Sequence, residues 1–229
     1  PGASAPTALA PHAAAVVRVS PFEEARDPAE VRCRPAPRPP TLGRMFFRTP
    51  DVAPLLERSA RHLDEGDPEA GLAAAEEAAR KAPRNAEAHV HRAAALVALD
   101  RCEEALEAYD RALDRDRKNP WALLGAADLL ISRFGEEEEA LARGLELCQR
   151  GEKVARKAGD EALGAEFLLL EGIGLNQLGD PRGALERIDR ALAVLGPERE
   201  GLLERGIALF ECCRFDDARA QFESMLATD

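Results

Sequence analysis

The segment Leu-Asp-Glu-Gly-Asp-Pro-Glu-Ala-Gly at residues 63–71 is a helix end, a turn and the opening of a second helix, and its pattern returns along the chain. Ala-Leu-Asp-Arg-Cys-Glu-Glu-Ala (98–105), Gln-Leu-Gly-Asp-Pro-Arg-Gly-Ala (177–184) and Glu-Cys-Cys-Arg-Phe-Asp-Asp-Ala (211–218) keep the same order of residue types. The small residue one turn into the second helix recurs as Gly71, Ala105, Ala140, Ala184 and Ala218, at intervals of 34, 35, 44 and 34 residues. In the preceding helix a second small series runs Ser59, Ala93, Ala127, Gly172, Gly206. Such a period means stacked helix pairs, each too short to be stable alone in water and each stabilised by burying an apolar seam against its neighbours.

Composition agrees with close-packed helices. Of 229 residues 45% are hydrophobic and 32% charged, about a fifth are alanine and only ten are aromatic. Helix breakers at Pro83-Arg84-Asn85, Asn119-Pro120, Gly159-Asp160 and Gly196-Pro197 separate the pairs. The pairs are expected near 51–64 with 68–81, 86–98 with 102–115, 120–133 with 136–157, 161–178 with 181–194, and 199–212 with 215–227. The third pair exceeds the common spacing, and Glu136 to Lys157 is helical in character with no proline, which predicts an elongated second helix projecting as a ridge. Gly144 and Gly151 inside it each cost about 1 kcal/mol relative to alanine, so close backbone packing or a bend is expected there.

The repeated residues resemble the tetratricopeptide repeat family. The copy at Ala86-Glu87-Ala88-His89, Arg92-Ala93, Arg101-Cys102-Glu103-Glu104-Ala105-Leu106, Tyr109 and Ala112 carries the likeness best. The resemblance spans residues 51–229 and implies an all-α, right-handed α-solenoid of five helix pairs, in units of about 51–85, 86–119, 120–164, 165–198 and 199–229. It implies protein–protein interaction as the function, with the first helix of each pair lining a concave face.

Residues 1–50 differ from this body. They hold ten of the sixteen prolines, densest at Arg34-Pro35-Ala36-Pro37-Arg38-Pro39-Pro40, and read as an extended, partly disordered arm. Ala15 to Val19 and Met45-Phe46-Phe47 are the pieces that contact with the body would order. The arm carries seven Arg against four acids, a net +3, and residues 51–229 carry 24 Lys and Arg against 38 acids, a net −14. An acidic body repels phosphate backbones, so nucleic acid is not expected as ligand, and basic protein segments are favoured. One such segment is the arm itself, whose tethering gives it a high effective concentration for intramolecular docking.

On the first helices two stripes separate by phase. One, including Leu55, Ser59, His89, Ala93 and Leu96, is expected to pack within the pair. The other is expected to line the concave face through Leu56, Leu63, Val90, His91, Val97, Leu124, Asp128, Ile131, Leu169, Ile173, Asn176, Leu203, Ile207 and Phe210. This wall is apolar with acidic edges (Glu57, Asp64, Glu87, Asp128, Glu204, Glu211), which suits a basic amphipathic helix or an extended apolar segment. Relatives that grip peptide C-termini use paired Lys or Arg with Asn on this face, and none of these positions is Lys or Arg. Burial of the same stripe under neighbouring first helices is the competing outcome.

No chemistry is expected. The chain lacks HExxH, GxSxG and a P-loop, and Gly172-Ile173-Gly174 belongs to the helix-crossing series rather than to a dinucleotide turn. His89 and His91 point about 200° apart on one helix and cannot share a metal, so no cofactor or metal is expected. His89 reads as a core histidine and Cys102 as a small core residue. Glu136 to Glu139 read as a solvated helix start. Five cysteines without framework spacing argue for reduced thiols and a cytoplasmic setting, with a processed or exported form left open. No apolar stretch is long enough for a membrane span. The sequence ends where an inter-unit turn would begin, so either the natural chain continues or Phe215, Phe222 and Met225 form an oligomer contact. Alternatives to a scaffold are the non-catalytic recruiting portion of a larger enzyme and a self-assembling structural element.

Overall fold

A computed structural model describes residues 51–227, in which the chain forms ten α-helices and no strand. They run α1 (Ala53–Asp64), α2 (Pro68–Lys81), α3 (Ala86–Ala98), α4 (Cys102–Arg115), α5 (Pro120–Ser132), α6 (Glu138–Ala158), α7 (Glu161–Gln177), α8 (Pro181–Leu195), α9 (Arg199–Glu211) and α10 (Phe215–Leu226). Successive helices pack on each other to give an all-α solenoid of five pairs. The readings of residues 1–50, including the arm and its docking, lie outside the described residues.

The helix starts follow from local chemistry. The side chains of Asp67, Asn85, Asn119, Asp160 and Asp180 each accept a hydrogen bond from the backbone N–H three residues on. Such caps satisfy an otherwise orphaned donor and are each worth about 1 kcal/mol. At Asp67-Pro68, Asn119-Pro120 and Asp180-Pro181 a proline follows the cap, where its missing N–H costs nothing.

Within four of the five pairs the turn is one repeated device. Gly66, Asp100, Gly179 and Cys213 adopt left-handed φ of 77°, 57°, 76° and 60°. The N–H of the next residue donates to the carbonyl five residues back, as in Arg101 to Leu96 and Arg214 to Leu209, both at 2.9 Å. This helix stop favours glycine because a Cβ is strained at positive φ.

The two small-residue series meet where the helices of a pair cross. Ser59 is fully buried and its hydroxyl donates to the Gly71 carbonyl at 2.9 Å. Ala93, Ala105, Ala127 and Ala184 are also fully buried. The third pair departs from expectation: Ala140 is only half-buried, and the close approach falls one turn later, on Gly144. A Cβ there would stand 2.9 Å from Ile131 Cγ1 and 3.2 Å from Leu130 Cβ. The reason is the different turn at residues 133–137, which has no left-handed residue and starts α6 further from the crossing. The unit boundary placed at 164/165 falls inside α7, because the chain turns at Gly159 and Asp160 instead.

The elongated α6 holds α7 through its second glycine. A Cβ on Gly151 would lie 2.2 Å from the ring of Phe167, which is fully buried. Close packing is therefore the reason for glycine in this helix. Gly164 has only Ala155 Cβ near it, at 3.8 Å. Gly151→Ala should lower unfolding stability by about 1–2 kcal/mol, since overpacking against a rigid ring outweighs the roughly 1 kcal/mol propensity gain, and Gly164→Ala should raise it by up to about 1 kcal/mol. Urea denaturation of both variants checks the contrast in sign. Cys213→Gly should likewise add about 1 kcal/mol by removing the left-handed strain, and Asp100→Gly should add less, because Asp100 also accepts from Arg133 at 2.8 Å.

Candidate protein-binding surface

The odd-numbered helices approach one another, α1 on α3, α3 on α5, α5 on α7 and α7 on α9, and no even-numbered helix approaches another among the described residues. The stack therefore curves with the odd helices on its inner face. This is where the sequence pattern places the binding stripe.

Close approach of those helices consumes part of the stripe. Leu56, Ile131, Leu169 and Ile173 are buried, with exposures of 7%, 1%, 7% and 3%, and so are core residues rather than open wall. Ile131 lies against Gly144 of α6 and Gly174 of α7, and Leu169 lies against Gly201 of α9. Leu63, Val90, His91, Val97, Leu124 and Asn176 are half-buried, and Asp128 is exposed. Asn176 is already engaged: its amide donates at 3.1 Å both to the Glu204 carbonyl and to Glu204 Oε2, tying α7 to α9. Glu204 is correspondingly buried and does not form an acidic edge, whereas Glu57, Asp64, Glu87 and Glu211 are exposed.

The accessible apolar part of the stripe lies at the fifth pair. Leu203, Ile207 and Phe210 follow one face of α9 and are 44%, 38% and 54% exposed. Phe215, at the start of α10, is 55% exposed and meets Phe210 edge to face with ring centroids 5.3 Å apart. Phe215 escaped the sequence reading as part of this wall because it belongs to the second helix of its pair; only the fold of the turn brings it to Phe210. Phe222 instead packs inward on Gly206.

Polar ties hold the inner face in shape. Glu171, buried in α7, accepts from Arg187 Nε at 3.0 Å and from Gln149 Nε2 at 3.4 Å, linking three helices. Arg205 donates to Asp189 at 2.6 Å and to Gln221 at 3.0 Å. No cluster of three metal-ligating side chains occurs among the described residues, and Cys102, Cys148, Cys212 and Cys213 are free thiols. Burial raises the pKa of Cys148 and Cys102, which disfavours the thiolate at both. No described helix is long and apolar enough to cross a membrane.

His89 is buried in the second pair, with Nε2 3.3 Å from the Pro83 carbonyl and Nδ1 without a partner. The carbonyl only accepts, so Nε2 carries the proton and Nδ1 is bare. Desolvation is the largest influence on this imidazole and holds its pKa below the ordinary value; burial does the same to His91. A base with a depressed folded pKa leaves stability intact above the unfolded value of about 6.5 and removes it as pH falls below that. His89→Phe should therefore flatten the loss of stability between about pH 7 and 5. Urea midpoints at both pH values read this, and an unchanged slope would show that His89 protonates freely in the folded chain.

Stacked helix pairs with an inner wall and no catalytic constellation among the described residues define a helical-repeat solenoid, a class built as a protein-interaction scaffold. A tetratricopeptide repeat family model matches residues 56–120 and 169–229, more than half of the chain, and the chain belongs to that family. The unmatched stretch between them holds α5 and α6, where the spacing departs from the common unit. No curated protein matches the chain significantly. Among solved structures it is similar to MamA (41-end) from Desulfovibrio magneticus RS-1, with TM-score 0.64 and 19% identity over 78% of this chain and 96% of that one. It is also similar to PilF of Pseudomonas aeruginosa, with TM-score 0.65 and 18% identity over 77% and 75% of the two chains. A thermophilic tetratricopeptide repeat protein of Thermus thermophilus gives TM-score 0.60 and 20% identity over 77% and 90%. At these identities the likeness is one of fold.

Proposed function

We propose that this chain is an adaptor that holds a helix or extended segment of a partner protein on its inner face, anchored at the fifth pair. The observation that carries this reading is the contiguous exposure of Leu203, Ile207, Phe210 and Phe215, where most other large apolar side chains among the described residues are buried or half-buried. Exposed aromatic and aliphatic groups in one patch are the usual anchor of a protein interface. The exposed carboxylates of Glu57, Asp64, Glu87, Asp128 and Glu211 and the net charge of −14 on residues 51–229 favour a segment that is basic as well as apolar. Residues 1–50, with their net +3 and Met45-Phe46-Phe47, are the first competitor for this face. The free thiols suit a reducing, cytoplasmic setting.

The same patch favours a second reading, self-assembly through the fifth pair, since Phe215 offers an aromatic edge beyond α9. One pair of substitutions separates the two. Ile207→Glu with Phe210→Glu sits on exposed positions, so helical circular dichroism should be unchanged; Leu169 and Ile173 are buried, and replacing them would test folding instead. A partner captured by the native chain should be lost by this variant, with a loss of at least about tenfold in affinity, as expected for removal of central apolar anchors. Mass in solution that rises with concentration for the native chain and not for the variant would favour self-assembly. Equal capture by both would remove the inner face from the function.

A further inference from the structure

The outer face carries a site of opposite character. Where the stack curves, α4 and α6 diverge, and between them opens a trough of about 1180 Å³. Its floor is apolar, made by Leu113 of α4 with Leu147 and Val154 of α6. Two side chains of α6 reach across it: Arg143 pairs with Asp110, and Arg150 Nη2 donates to the Arg117 carbonyl at 3.2 Å. Beyond them α4 has ended at Arg115 while α6 continues to Ala158.

At this open end the charge reverses. Arg117 and Lys118 stand on one wall, Lys153 and Lys157 on the other, all exposed and none in an ion pair with a described residue. Arg150 stands between them, spaced with Lys153 and Lys157 along a single face of α6. Six cations line the trough against the three carboxylates Asp110, Asp114 and Glu146. Elsewhere the body is strongly acidic, so mutually repelling cations left together around an apolar floor are poised for an anionic occupant.

We propose that the α4–α6 trough binds an acidic, leucine-bearing segment of a partner protein, leucines on the floor and carboxylates on the rim. A phosphate backbone would leave the leucine floor unused and would meet both Asp114 and Glu146 and the field of the whole body. Residues 1–50 carry net positive charge and are repelled by this rim. The site is independent of the inner face, because it is formed by even-numbered helices on the opposite side of the stack.

The test is fluorescence anisotropy of the full chain with a labelled peptide made of two copies of Asp-Leu-Glu-Glu-Leu-Leu-Glu. Three further arms use the same peptide with Lys in place of each acid, a single-stranded oligodeoxythymidine, and the charge-reversed variant Arg150→Glu, Lys153→Glu, Lys157→Glu. The acidic peptide should bind saturably and weaken as salt rises, and the variant should bind it at least about tenfold less tightly. The Lys peptide should bind the charge-reversed variant at least about tenfold more tightly than it binds the native chain, whose inner face can itself take a basic apolar segment; such a gain is an outcome that damage to the fold would not produce. Ile207→Glu with Phe210→Glu should bind the acidic peptide normally, which keeps this site separate from the inner-face reading. Absence of saturable binding, tighter binding of the oligonucleotide, or native self-association that the charge-reversed variant abolishes would each overturn the proposal, the last by making a second copy of the chain the occupant.

Discussion

The distance between helix axes where two helices of a pair cross is the constraint on which this architecture depends. A short helix of an alanine-rich sequence has little apolar area per residue to bury, so its stability comes from close approach and not from large side chains. At two crossings a small residue faces another, Ser59 on Gly71 and Gly172 on Ala184, and in the second pair Ala93 and Ala105 are both fully buried. Where a large group enters, glycine yields the room. Phe167 occupies the space over Gly151 and Phe222 the space over Gly206. Enlarging one crossing would move two helices, and through them the neighbouring pair, because every pair is held only by those beside it.

The same constraint explains how the enlarged middle of the stack is accommodated. Added length in α6 is followed by a 17-residue α7, so the extension of one helix is packed by the next instead of hanging in solvent. Gly144, Gly151 and Gly174 line this junction, and Glu171 ties α6, α7 and α8 together by accepting from Gln149 and Arg187. The buried carboxylate is tolerated because a guanidinium and an amide satisfy it. Irregular spacing in the sequence is thus a reinforced joint in the structure.

Much of this architecture is legible in the sequence, and the departures from it have physical causes. Repeated turns at 63–71, 98–105, 177–184 and 211–218 reported the pairs because each turn needs the same backbone: a left-handed residue, then a helix start. Residue spacing places Ala140 at the third crossing, and spacing fails where the turn itself changes shape; Gly144 takes the position because α6 begins further away. On the inner face, helical phase identified which side of α5 and α7 points inward but not how near the next odd helix comes. Ile131, Leu169 and Ile173 are therefore buried, and Leu203, Ile207 and Phe210 carry the same phase yet stay open. Periodicity gives direction; coverage depends on neighbours.

Curvature then divides the labour between the two sides of the stack. Drawing the odd helices together buries Leu56, Ile131, Leu169 and Ile173, leaves the largest apolar exposure of the inner face at the fifth pair, and spreads the even helices apart. Spreading alone does not make a site. Between α6 and α8 the gap is spanned by Arg190 and Glu152 at 3.9 Å, a pair in which charges answer each other. Between α4 and α6 the spanning pairs stop at Arg150, and the final turns of α6 present Lys153 and Lys157 to Arg117 and Lys118, none of the four in an ion pair with a described residue. A surface whose purpose was only solubility would intersperse the signs, as most of this chain does. Segregated cations over a leucine floor on one side, and an aromatic patch beside the exposed Glu211 on the other, are the two surfaces on which the proposed interactions rest.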